Sequence, residues 1–183
     1  RKQTYLAVKR LAALKAAADL LRLAKHAPDL AKQCDLLASD SLKKVEVAAW
    51  LGDHYAVCVD KSAVGITDAW TGKPLPYDTL PGWDAYSIYT GNGLLLPFMV
   101  GRTDLLNPKQ LRQDIASAQR ENATRYGCGH TSAESDNVWV SQNLWRDTLA
   151  QYIKLRPLSP QYYWDMQVMS NTGPNSMGYT DTY

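Results

Sequence analysis

Two apolar stripes at helical spacing, separated by only a few residues, constrain this chain more than any other feature. In residues 4–25, Leu6, Leu11, Leu14, Leu20, Leu21 and Leu23 recur among alanines and basic side chains at the helical period. Ala12, Ala13, Ala16, Ala17 and Ala18 leave room for a second helix to come close. Pro28 suits the first turn of that helix. Leu30, Cys34, Leu37, Leu42 and Val45 then carry its stripe to about Trp50. The connection His26-Ala27-Pro28 is short, which predicts that the second helix folds back on the first as an antiparallel hairpin.

After the hairpin the pattern changes. Tyr55-Ala56-Val57-Cys58-Val59-Asp60 predicts a strand. Residues 61–101 are broken by Gly65, Gly72, Pro74, Pro76, Pro81, Gly82, Gly91 and Gly93, with Trp70, Tyr77, Trp83, Tyr86 and Tyr89 between them. A loop of that length inside a domain is usually functional or wrapped around a partner. Helix is predicted again over 108–122, with Pro108 at its first turn, and a glycine-broken bend follows over 126–131. Ser135 or Asp136 would cap a helix carrying Val138, Trp139, Leu144, Trp145, Leu149 and Ile153 and ending before Pro157. A short helix over 161–169 precedes a loop-like end. Helical hairpins alternating with long, aromatic-rich loops predict a mainly α chain, an α/α toroid rather than a four-helix bundle.

At 183 residues there is material for one core and little for two. Both ends read as cuts. The expectation is therefore a single domain over 1–183 that is an incomplete portion of something larger. Twenty basic against eighteen acidic side chains exclude a general basic coat for nucleic acid. No apolar run reaches the ~20 residues that span a bilayer, so no membrane partner is expected. Three cysteines with no paired-ligand spacing predict reduced, buried thiols and no structural zinc; a Cys58–Cys128 bridge is the alternative. His26, His54 and His130 are far apart, no phosphate loop precedes a helix, and the acids of 60–68 lack the EF-hand order. Neither metal nor cofactor is expected.

What remains is a set of carboxylates among flat rings and glycines. Six Trp and eleven Tyr against one Phe favour side chains that have an apolar face and a polar handle. Two segments concentrate them: Pro81-Gly82-Trp83-Asp84-Ala85-Tyr86, and Thr131-Ser132-Ala133-Glu134-Ser135-Asp136-Asn137-Val138-Trp139. A sugar presents C–H faces to stack on and hydroxyls to bond, and cutting its glycosidic link needs one protonated and one ionised carboxyl group. Asp84 and Glu134 are the candidate pair; Trp83, Tyr86, Asp136, Trp139 and His130 are the candidate sugar contacts. Simpler roles compete at each position. Asp136 would cap a helix, Glu134 would complement its dipole, Asp84 would form a turn, and His130 would bond within its loop. Asp53-His54 after Gly52 reads as a turn, with a functional role as the alternative.

These residues resemble a known group. Thr4-Tyr5-Leu6-Ala7-Val8-Lys9 resembles the inward helix of the (α/α)6 barrel in bacterial glycoside hydrolases, including β-xylosidase-like proteins and the related glutaminase-type family. Ser135-Asp136-Asn137-Val138-Trp139-Val140-Ser141-Gln142 is similar to the Ser-Asp-Asn-Thr-Trp-x-Ser-Lys stretch of that group, with Val138 and Gln142 as departures. The resemblance covers most of the chain as the C-terminal part of such a barrel. It implies that one catalytic carboxylate lies upstream of Arg1, and that Asp84, Glu134 and Asp136 contact substrate. The expected activity is hydrolysis of a β-linked sugar. The alternatives are a glutaminase-type amidase on the same scaffold, and a non-enzymatic carbohydrate-binding or scaffold subunit. The expected partners are a carbohydrate and the rest of the parent chain or a companion subunit.

Overall fold

The structure, a computed structural model, describes residues 2–124, 127–133 and 140–157. It is mainly helical. Helix α1 spans Thr4–Leu23 and α2 spans Pro28–Lys44, extended by one π-helical turn over Val45–Ala49. Together they cover the two segments expected from the stripes. Pro28 sits in the first turn of α2, and Lys25 and Ala27 turn the chain through left-handed backbone conformations. Val8, Leu11 and Ala18 of α1 are buried, as are Ala31, Cys34 and Ala38 of α2. The spacing of three, four or seven residues puts each set on one face, and the small side chains allow the helices to pack closely. Lys15 and Arg22 of α1 both reach Asp35 of α2, which ties the second half of one helix to the middle of the other.

The strand expected over 55–60 does not form. Residues 50–59 instead make single bridges, Trp50 to Tyr55 and Gln3 to Cys58. Their hydrogen bonds go to the start of α1: Thr4 N–H donates to the Val57 carbonyl at 3.1 Å, and Val59 N–H to the Lys2 carbonyl at 3.1 Å. β propensity here serves to fill a half-buried edge. The long loop is also shorter than expected, because Tyr89–Asn92 forms helix α3 and Leu95–Met99 forms helix α4. Gly91 carries α3 against the helices that follow. A Cβ there would lie 3.1 Å from the Ile115 side chain and 3.3 Å from that of Leu149.

Helix α5 spans Pro108–Glu121, with Asn107 as its cap: the side chain accepts from Lys109 N–H at 2.9 Å and from Gln110 N–H at 3.4 Å. Two short antiparallel strands follow, β1 at Ala123–Thr124 and β2 at Gly127–Cys128. Helix α6 spans Val140–Tyr152. Its last carbonyls are closed by Arg112 of α5, whose Nη1 donates to Ile153 O at 2.6 Å and Lys154 O at 2.7 Å. The proposed caps of α6, Ser135 and Asp136, and the expected helix over 161–169 lie outside the described residues.

One core joins Val8 and Leu11 of α1, Tyr55, Leu94, Phe98, Leu111, Ile115 and Leu149. A second small cluster gathers Cys58, Ala63 and Leu80 under the loop, and a third gathers Ile88, Ala118 and Cys128. All three cysteines are free and buried, so the thiol reading holds and the Cys58–Cys128 bridge does not. Among the described residues no helix is long and apolar enough to cross a membrane.

The α6 side chains differ from the stripe expected of them. Leu144 and Trp145 are 47% and 37% exposed, whereas Asn143, Arg146 and Asp147 are buried. Asn143 explains part of this, because its amide accepts from Cys128 N–H at 3.0 Å and donates to Cys128 O at 2.9 Å. It completes both backbone groups of a residue with few strand partners. Leu149, fully buried where α3, α5 and α6 meet, is the apolar anchor of α6. Replacing Leu149 by Ala is expected to lower stability by about 2–5 kcal/mol in urea unfolding followed by circular dichroism.

Candidate functional site

The first segment singled out above and the described start of the second, residues 131–133, are neighbours in space. Residues 81–86 and 130–133 run side by side. The Tyr86 N–H donates to Ser132 Oγ at 3.1 Å, and Ser132 N–H donates back to the Tyr86 carbonyl at 2.9 Å. Ser87 bridges Thr131, and Ile88 N–H donates to the His130 carbonyl at 3.1 Å. Asn122, at the end of α5, joins both segments with one amide, donating to Tyr86 O at 3.0 Å and Gly129 O at 3.4 Å. Gly82 is required at the closest approach. Its φ is +68°, and a Cβ there would stand 2.8 Å from the Cβ of Ala133.

A polar cluster backs this junction. His54 is 6% exposed. Its Nδ1 lies 2.7 Å from Asp53 Oδ1, and its Nε2 lies 2.7 Å from the main-chain carbonyl of Asp84. The Tyr86 ring stacks on the imidazole at 3.9 Å between centroids, and its hydroxyl donates to Asp53 Oδ2 at 3.0 Å. Arg120 of α5 approaches the same carboxylate at 3.7 Å and pairs with Glu121 at 2.7 Å. The hydrogen bond with His54, then that with Tyr86, then the charges of His54 and Arg120 hold the Asp53 carboxyl below the usual range, against the opposing effect of burial. The same carboxylate pushes the Tyr86 hydroxyl up.

Asp114 lies beneath, on the buried face of α5 with Leu111, Ile115 and Ala118. Its Oδ1 accepts from Tyr55 N–H at 2.8 Å, and its Oδ2 has no hydrogen-bond partner among the described residues. Burial pushes this carboxyl up to about 7; the Tyr55 hydrogen bond and the charge of His54 pull the other way. Only 1% exposed, it cannot meet a substrate. Its contact is with the main chain, as acceptor for the Tyr55 N–H.

The described candidates have distinct surroundings. Asp84 is exposed, and its main chain rather than its carboxylate makes the contact with His54. Trp83 is half-buried against the second cluster, with the Lys61 ammonium 3.7 Å above its ring. Tyr86 belongs to the polar cluster. His130 is 4% exposed and its ring lies 5.5 Å from that of Tyr89. Glu134, Asp136 and Trp139 lie outside the described residues; Ala133, next to Glu134, is at the Gly82 contact. Sequence reasoning left Asp53 and His54 as a turn with a possible role, and missed Asp114 and Arg120. The available signal was an acid at position 114, inside the apolar stripe of Leu111, Ile115 and Ala118. No protein-family model matches the chain, and no curated protein matches it.

Two consequences can be measured. Gly82→Ala forces both a strained φ and a clash, and is expected to cost about 1–3 kcal/mol. Adding Ala133→Gly should recover the part due to the clash in thermal unfolding. Asp114 has a folded-state pKa raised above its ordinary 3.8, so its contribution is fully present below pH 3.8 and is lost as pH rises through about 7. Asp114→Asn is expected to match the parent protein near pH 4 and to exceed it at pH 8. The difference is on the order of a few kcal/mol in denaturant titrations.

Proposed function

We propose that the chain is the C-terminal part of an (α/α)6-barrel catalytic domain that hydrolyses a β-linked glycoside. The meeting of residues 81–86, which carry Trp83, Asp84 and Tyr86, with His130-Thr131-Ser132-Ala133, which lead to Glu134 in the sequence, is the observation that supports this reading. Tyr86 and Ser132, 46 residues apart in sequence, share one main-chain hydrogen bond, Ser132 N–H to Tyr86 O, and one from Tyr86 N–H to the Ser132 hydroxyl, and Asp84 and Ser132 are both exposed beside this contact. In this reading one carboxylic acid protonates the leaving oxygen, and a carboxylate attacks the anomeric carbon or activates water. Asp84 and Glu134 take these roles within the chain, with a further carboxylate supplied by the parent polypeptide. Trp83, Tyr86 and Trp139 shape the sugar subsite and Asp136 binds hydroxyls, whereas His130, 4% exposed, is too buried to reach them. A carboxyl separation of about 5 Å would give retention, and one of about 6.5–9.5 Å inversion.

Glycan binding without turnover is the second reading, and Trp70 favours it. That side chain is 93% exposed at a turn fixed by Asp68, whose Oδ1 accepts from Trp70 N–H at 3.0 Å and Thr71 N–H at 2.7 Å. A flat ring held out on a fixed turn suits stacking on a sugar face.

Turnover separates the two. In the complete polypeptide, Asp84→Asn and Glu134→Gln are each expected to lower kcat on aryl β-glycosides by about 100-fold or more. Retained turnover would remove that residue from the mechanism. Tight glycan binding with no sugar released by the parent protein would establish the binding reading instead.

A further inference from the structure

The His54 ring is held between two oxygen atoms that accept hydrogen bonds. Nδ1 faces the Asp53 carboxylate and Nε2 faces the Asp84 carbonyl, both at 2.7 Å. A carbonyl never donates, and the Asp53 carboxyl is held below the usual range and so carries no proton near neutrality. A neutral imidazole has a single N–H and can satisfy only one of these partners. The second nitrogen would then direct a lone pair at an oxygen. Both contacts are satisfied together only when both nitrogens carry protons. The remaining surroundings fit a cation. The Tyr86 ring lies flat on it, and the Asp53 carboxylate faces it from its own turn; Asp114 on α5 holds its proton up to about 7 and adds no charge at the acidic end. Arg120 opposes this charge from α5 but is paired with Glu121, and the Asp84 carboxylate is exposed to solvent.

We propose that His54 is a positioning residue and a proton-linked latch: its doubly protonated ring fixes the main chain of Asp84 to the Asp53 turn, and loss of one proton releases residues 83–86. Deprotonation moves the proton to solvent and leaves a ring that keeps the Asp53 contact or the Asp84 contact, but not both. Tyr86 is the only ring stacked on the imidazole among the described residues, and it is bonded to Asp53 by its hydroxyl, so the release extends to its side chain. Any catalytic consequence rests on the hydrolase reading of Asp84; the latch itself does not.

Nitrogen-detected NMR of the full chain across pH 5–9 tests it. The expected result is a His54 ring protonated on both nitrogens at the acidic end. The Asp84 amide and the Trp83 indole signal should then move with the same midpoint as the ring. Asp53→Asn removes the anionic partner and should abolish the shared transition of the ring and the Asp84 amide within the range where the parent protein shows it. His54→Gln keeps an N–H toward the Asp84 carbonyl at every pH and should flatten the Asp84 titration. An Asp84 amide that stays fixed while the ring titrates would overturn the proposal, as would a singly protonated ring that keeps both contacts. Should aryl glycosides be turned over, kcat in the parent protein should fall with the imidazolium fraction and lose that dependence in His54→Gln. A protein with no turnover counts against the hydrolase reading, while the NMR shifts still decide the latch.

Discussion

The Tyr55 N–H donates to a carboxylate buried in α5, and the loop architecture depends on that bond. Tyr55 is fully buried, with its hydroxyl donating to Gln110 at 3.0 Å and its ring edge-on to Trp50 at 5.0 Å. Through these contacts it joins the end of the helical hairpin to α5. A buried N–H must find an acceptor, and the residue that supplies one here is an acid. Asp114 is therefore placed at the core although its burial opposes ionisation. His54 is the residue before Tyr55, so the same bond also sets where the imidazole stands. From there the ring reaches residue 84, and the 81–86 segment is held where it can meet residues 130–133.

The ionisable groups at this junction are differentiated by their surroundings. Asp53 is half-exposed and hydrogen-bonded by His54 and Tyr86, and it stays ionised. Asp114 is enclosed, has one hydrogen bond, and holds its proton up to about 7. Two acids on either side of one histidine thus differ in charge through a difference in hydration and hydrogen bonding, as general electrostatics requires. Cys128, buried near Arg146 and Asp147, is pushed up to about 11 by burial and remains a packing thiol.

The hairpin was readable as two helices with a short connection, but its buried face was not: Leu11, Cys34 and Val45 lie inward, whereas Leu6, Leu20, Leu23, Leu30 and Leu37 are exposed and the small residues Ala18, Ala31 and Ala38 take the close-packed face with Val8. Pro108 and Asn107 marked the start of α5 for an equally local reason: proline tolerates the first turn and Asn107 satisfies its free N–H groups. Residues 55–60 misled, because β-prone side chains report a half-buried surface and not a ladder partner. The buried face of α6 was also illegible. Asn143 lies inward to serve the backbone of Cys128, a residue whose position no local pattern reveals.

Composition and spacing by themselves determined a mainly helical chain, a hairpin at its start, three unpaired thiols and two segments rich in rings and acids. These properties are local: each depends on residues within a few turns of one another. The tertiary structure alone decided that Tyr86 pairs with Ser132, that Gly82 touches Ala133, and that His54 spans Asp53 and Asp84. Those contacts join residues dozens of positions apart, and only the packing of α5 against the hairpin brings them within hydrogen-bond reach. A turn such as Gly52-Asp53-His54 has no distinctive pattern of its own; its chemistry comes from the oxygen atoms that the fold places on either side of the ring.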